Sequence, residues 1–320
     1  MYQPSERAGI FGWYLLGPLL GPTLGPLLGG IILENLTWPW LFWILAIICS
    51  LISVISFIFL KETYAPVLLA RRKQELESSD GGSYYFEGED DRPLSIKLQQ
   101  SFKRPLKILF TQPIVITMAA YQALLFAVTY SLFTQFEKIY GDGYGFSTLQ
   151  VGLVYLGPGI GFLVAVWFLV PRIGTVYNSL SEKHGEPKPE YRLPLANIGA
   201  IIIPISVFAF AWLVEYHVHW AASIVATFFY GIGQVIIFNS VQNYYIDSFE
   251  KYAASAIAAG ALFRSFIGGI VPLFTPLLLD KLGVGWGLSV FGFLAVLLAP
   301  SPILFYRYGE WLRKRFAIDL

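Results

Sequence analysis

Long apolar runs separated by short polar breaks dominate the chain. Eight of them reach the roughly 20 residues that a helix needs to cross a bilayer: 11–33, 38–60, 111–133, 148–171, 195–214, 219–243, 255–279 and 286–306. Helices are the expected form, because hydrocarbon offers no water to satisfy an open backbone. One long polar interval, 61–110, divides two spans from six. It holds Ser78, Ser79, Gly81, Gly82 and the acidic run Glu87, Glu89, Asp90 and Asp91, a composition expected of a mobile segment. Its end differs: Leu94, Leu98, Phe102 and Leu106 recur every fourth residue beside Lys97, Lys103, Arg104 and Lys107. That pattern predicts a short helix, either lying at the membrane surface or solvated and docked on protein.

Composition agrees with this picture. The 320 residues are 56% hydrophobic and 13% charged, where a soluble domain carries about a quarter charged residues. The expected class is all-α, a polytopic integral membrane protein. A lone cysteine, Cys49, lies in an apolar span and reads as a packing residue, so no disulfide framework or thiol metal site is implied. A net charge of +1 gives no nucleic-acid signal. The N-terminal residues Met1, Gln3, Glu6 and Arg7 lack the basic-then-apolar build of a signal peptide.

Charge placement predicts orientation. Nineteen lysines and arginines fall on one side, including nine within 61–110, against Lys138 and Lys281 on the other. Both termini are therefore expected in the cytoplasm. Asn35-Leu36-Thr37 matches a glycosylation sequon but is squeezed between two spans, where we expect it to go unused.

The segment from Gly17 to Gly30 has a pattern of its own. Glycines recur at Gly17, Gly21, Gly25 and Gly29, and Pro18, Pro22 and Pro26 follow three of them. Interior prolines disfavour a helix in water, whereas a membrane helix tolerates them. Four-residue glycine spacing makes a groove for close backbone approach. An ordinary packing face and a hinge in a transporter are the two readings, and the registered prolines favour the hinge. Gly157-Pro158-Gly159-Ile160-Gly161 is also glycine-rich, but it lies inside a span and follows no strand. It reads as a second close-packing or bending site, not a phosphate loop.

Few polar groups remain at depth. Gln234 and Gln242 share one side of their span, with Asn239 and Asn243 further round. Gln122 and Thr129 share a face of another, with Tyr121 and Tyr130 nearby. Such amides must find partners or face a water-filled cavity, so hydrogen bonding between helices and lining of a substrate path both stand. Arg264 is the one charge well inside a span, a functional candidate unless its helix starts late enough for it to snorkel outward. Every acidic residue of the spans (Glu34, Glu137, Asp142, Glu215, Asp247, Asp280) sits at or near an end. His184, His217 and His219 are in loops. No enzyme signature, cofactor motif or metal-ligand cluster is present.

The Gly17–Gly30 segment resembles the antiporter signature G-x3-GP-x2-GP-x2-GG, carried on the fifth helix of drug:proton antiporters of the major facilitator superfamily. Further stretches resemble the fungal multidrug-exporter branch: Lys61-Glu62-Thr63-Tyr64-Ala65-Pro66-Val67-Leu68-Leu69, Arg104-Pro105, Gln112-Pro113-Ile114-Val115, Pro189-Glu190-Tyr191-Arg192-Leu193, Ala253-Ala254-Ser255-Ala256 with Arg264-Ser265, and Trp286-Gly287 with Pro300-Ser301-Pro302. The resemblance implies a partial facilitator fold of about eight helices in which the first four are missing. Residues 1–60 would be the last two helices of the N-terminal half, 61–110 a cytoplasmic linker, and 111–320 the C-terminal six-helix half with its tail. It implies alternating access, with Gly17, Gly21, Pro22, Gly25, Pro26, Gly29 and Gly30 forming the motif helix. Gln122, Tyr130, Gln234, Asn239, Gln242 and Arg264 would line the substrate path. Small organic molecules or drugs, protons in a full-length form, and the lipid bilayer are the implied partners, for a monomer in the plasma membrane rather than the vacuole. The alternative is a non-transporting fragment. The family's coupling acid commonly lies in its first four helices, so this chain by itself is not expected to couple transport to protons.

Overall fold

The computed structural model describes residues 4–86, 89, 92–249 and 252–316. All regular structure among them is helical. The chain forms two compact units, residues 1–34 with 103–320, and residues 35–102.

The first unit begins with α1 (Pro4–Asn35), which stays helical through Pro18, Pro22 and Pro26. The end of α4 (Leu94–Thr111) leads through the extended residue Gln112 into α5 (Pro113–Phe136), which ends in a π-helical turn over Glu137–Asp142. One long rod then covers Thr148 to His184. Ser147 opens it with a capping box: its hydroxyl accepts from Gln150 N–H, and Gln150 Oε1 accepts from Ser147 N–H. The rod comprises α6 (Thr148–Val154), α7 (Leu156–Val164) and α8 (Val170–His184), with a π-helical turn at Ala165–Leu169. Pro171 explains that turn, since its ring would clash with the carbonyl four residues back and the wider turn makes room for it. Next come α9 (Ala196–Glu215), α10 (Trp220–Ser248), α11 (Ala253–Leu298) and α12 (Ser301–Arg315).

α11 is two limbs joined at Gly283, whose φ of 76° and ψ of 169° break the helix. The limbs fold back on each other: a Cβ at Gly287 would come within 2.6 Å of Leu279. Six stretches among the described residues are long and apolar enough to cross a membrane, the last running from Ala253 through this break to Arg315. The runs expected from the sequence fall largely in helices, but 111–133 begins on the last residue of α4 and crosses the extended Gln112, and 286–306 crosses the turn at Ala299–Pro300 between α11 and α12.

The core forms where α5 packs on the first limb of α11, α11 on α9, α9 on α10, and α10 on α7. Glycines set these crossings. A Cβ at Gly231 would stand 2.5 Å from the Pro158 carbonyl, and one at Gly199 2.8 Å from that of Gly233. Gly157 and Gly161 face α10, while Gly152 and Gly159 face α1. The glycine-rich run of this rod is thus a close-packing site, as its sequence suggests.

The second unit holds α2 (Pro39–Phe59), α3 (Ala65–Asp80) and the start of α4. None of the α2 residues is buried. The expected mobile stretch after it needs correction, because it is largely helix. α3 contains good helix formers, Pro66 in its first turn, a 3.0 Å Arg72–Glu75 pair and Gly81 in the left-handed capping conformation. Lys73 reaches Glu89 at 2.6 Å. Glu87, Asp90 and Asp91 lie outside the described residues.

Candidate functional site

α1 meets the rod through small residues. A Cβ at Gly152 would stand 3.0 Å from the Pro26 carbonyl, one at Gly159 3.2 Å from Thr23, and one at Gly30 3.2 Å from the Thr148 carbonyl. Thr23 is buried and returns its hydroxyl to Leu20 O at 2.8 Å. The approach therefore runs along Thr23, Pro26 and Gly30. The glycine ladder itself points elsewhere: Cβ atoms at Gly17, Gly21 and Gly25 would meet nothing within 4 Å. Pro22 and Gly29 are partly covered.

Deeper in the bundle, α5, α10 and α11 bring together residues one helical turn apart. On α5 these are Gln122, Phe126 and Tyr130, on α10 Gln234, Phe238 and Gln242, and on α11 Gly260, Arg264 and Gly268. Phe126 is the hub. Its ring lies 5.3 Å from Phe238 and 5.6 Å from Tyr130, and a Cβ at Gly268 would touch it at 3.1 Å. The Arg264 guanidinium stands over both rings, 4.7 Å from Phe126 and 5.1 Å from Phe238. A helix starting at Ala253 puts Arg264, partly buried, near the middle of its limb and away from either end. An uncompensated charge at that depth costs about 2.5–3.5 kcal/mol on insertion scales.

The polar atoms of this region are poorly satisfied. Gln122 is 0% exposed, and neither its amide nitrogen nor its carbonyl oxygen has a partner. Arg264 Nε, Tyr121 Oη, Asn239 Nδ2 and Gln242 Oε1 are likewise buried and unpartnered among the described residues. Leaving such a group unmade costs about 1–3 kcal/mol. Gln234 differs. Its Oε1 accepts from the Thr129 hydroxyl at 3.1 Å, beside Tyr230, whose hydroxyl donates to Leu125 O at 2.7 Å. It is a bond between helices. Asn243 donates to Asn239 Oδ1 at 2.8 Å along the same helix. Tyr130, 37% exposed, rims the cluster. The structure thus joins Tyr130 and Arg264 through Phe126, sets Gln122 beside Gly260 one turn away, and gives Gln234 a structural partner. Phe126 and Phe238 escaped the sequence reading; the four-residue spacing Gln122–Phe126–Tyr130 was their one signal, easily lost among so many aromatics.

Two hollows lie away from this cluster. One, of about 320 Å³, is lined by Lys138, Tyr144, Glu215, His217 and Asp280. Four of its polar groups are engaged: Lys138 pairs with Asp280 at 2.6 Å, Glu215 accepts from Gly285 N–H at 2.8 Å, and Tyr144 donates to Val218 O at 2.8 Å. The other, about 390 Å³, is an apolar groove of Ile202, Ile205, Leu213, Val225 and Phe229. At the opposite end of the bundle from Lys138, the Pro189–Arg192 turn is tied down by ion pairs. Glu190 takes two bonds from Arg313 at 2.9 and 3.0 Å, Arg192 meets Asp247 at 2.7 Å, and Lys188 meets Glu310 at 2.8 Å. No group of three histidine, cysteine or acidic residues placed to hold a metal occurs among the described residues.

Comparison with known proteins then decides the family. The model of the Major Facilitator Superfamily matches residues 1–272. This chain belongs to that superfamily. As a facilitator it is a multi-pass membrane protein of a transport fold, not an enzyme. It is 39% identical over 98% of its length to the MFS-type transporter penM of Penicillium rubens, covering 62% of that protein. It is 36% identical to the efflux pump vrtL of Penicillium aethiopicum and to the MFS transporter cpaT of Aspergillus oryzae, over 98% of its length in both cases, covering 62% and 64% of them. The chain thus spans about three fifths of these fungal transporters.

Proposed function

We propose that this facilitator chain is part of an exporter of small organic molecules that works by alternating access, in the manner of a drug:proton antiporter. The observation that carries the reading is the cluster of unpartnered polar atoms around Gln122 and Arg264, set at mid-length of helices that span a membrane. Groups buried at that depth without partners are costly to keep, and a passing substrate would supply the missing partners. Aromatic faces beside them suit large, weakly polar compounds. The proline–glycine helix α1 supports the same reading, since its contact with the rod consists of small residues that let backbones approach closely and slide. The names of the relatives, among them an efflux pump, point the same way.

Gly25→Leu in a full-length transporter tests the motif helix. Nothing stands within 4 Å of a Cβ there, so the variant is expected to insert and fold yet lose export. Unchanged efflux from a well-expressed variant would refute the role.

A second reading, that this chain by itself inserts without transporting, is favoured by one observation. The described carboxylates of its spans sit at helix ends or folds, at Glu34, Glu137, Asp142, Glu215, Asp247 and, beside the Gly283 break, Asp280. Proton-coupled exchange needs a titratable group at depth. Purified chain in vesicles that moves substrate with a proton gradient would remove this reading.

A further inference from the structure

We propose that the Arg264 cluster selects organic anions: compounds bearing one carboxylate on an aromatic body. This rests on reading the cluster as part of the substrate path. Arg264 makes no ion pair or side-chain hydrogen bond among the described residues, and its Nε is buried without a partner. The rings of Phe126 and Phe238 offset part of the cationic charge, but their faces supply no acceptor to the buried Nε–H. No acidic residue lies on the helices packed around it between Pro113 and Phe136, Trp220 and Ile246, or Ala253 and Leu279. Among the described residues of these helices the guanidinium charge therefore has no carboxylate to balance it.

Gln122 stands one turn along from the Phe126–Arg264 level, beside Gly260, where a Cβ would come 3.3 Å from its Oε1. It adds one free donor group and one free acceptor. A cationic ligand would meet repulsion in a low-dielectric setting, and a neutral one would leave the guanidinium unpaired. A carboxylate matches the guanidinium fork with two parallel bonds, while its aromatic body stacks on the same rings.

Binding of three matched probes to the purified chain in lipid nanodiscs tests this: 4-biphenylcarboxylate, 4-biphenylcarboxamide and 4-biphenylmethylamine. The carboxylate is expected to bind about 10-fold or more tighter than the amide, as one charge-assisted bond predicts, and the amine most weakly. Arg264→Gln should remove the preference for the carboxylate over the amide, and Arg264→Lys should retain part of it. Phe238→Ala should weaken carboxylate and amide alike. Equal affinity for carboxylate and amide, both reduced by Phe238→Ala, would overturn the anion assignment and leave the site standing. Tighter binding of all probes by Arg264→Gln would show a guanidinium serving another partner and would also overturn it. Absence of binding, or binding indifferent to both Arg264→Gln and Phe238→Ala, would defeat the anion assignment and the substrate-path reading together.

Discussion

At Arg192 the guanidinium lies 3.7 Å from the centre of the Tyr177 ring and meets Asp247 at 2.7 Å. Arg264 also stands over aromatic rings, but no carboxylate answers it. Sequence alone ranked these two differently, counting Arg192 among loop charges, because burial of a loop residue depends on what folds over it. Glycines show the same dependence on place. Gly231 sits where a Cβ would press on the Pro158 carbonyl, and Gly25 faces open space. Gly231→Ala should therefore destabilise the bundle by about 1–3 kcal/mol, the usual cost of overpacking, and Gly25→Ala should leave it unchanged. Thermal unfolding of the two variants in one detergent checks the contrast, and equal loss in both would contradict the packing described.

Among elements, α12 is tied to the Pro189–Arg192 turn through charge. Hydrogen bonds from Lys188 and then Lys314 hold the Glu310 carboxyl down at about 2, well below its ordinary value near 4.5. A carboxylate with a depressed folded value contributes stability above its unfolded value and loses it as pH falls towards the folded one. This contribution should be complete above about pH 4.5 and fade on approach to about pH 2. Glu310→Gln should remove that part of the acid sensitivity, read as a shallower fall of unfolding temperature over the same range. The exposed position of the pair makes the effect small. In α4, Leu98, Phe102, Leu106 and Phe110 are exposed along the helix, and we propose the membrane-surface setting for it. An uncovered apolar stripe beside lysines suits a membrane surface better than a docked, solvated face.

At the scale of the whole molecule, we propose from the one-sided distribution of basic residues that both termini lie on the cytoplasmic side. Epitope tags at the two ends should become accessible together, and only after the cells are permeabilised; a tag exposed on intact cells would refute the orientation. The fold was legible to this degree because bilayer thickness fixes the length of each apolar run and every break needs polar or helix-breaking residues. The helical nature of 65–80 was not, since serine, glycine and acidic residues near its end masked the helix formers inside it.

The sequence by itself determined the class, the long apolar helices, the proline–glycine motif and the family resemblance, all of which depend on local patterns of hydropathy and residue type. Only the tertiary structure decided which polar residues are spent and which are left over. Gln234 and Gln122 look alike in sequence, and each lies in an apolar helix. One meets Thr129 across a helix interface, and the other faces a glycine with both amide atoms unpartnered. Side-chain satisfaction is a property of neighbours distant in the chain, and the helical period that reveals a buried face does not reveal what that face will touch.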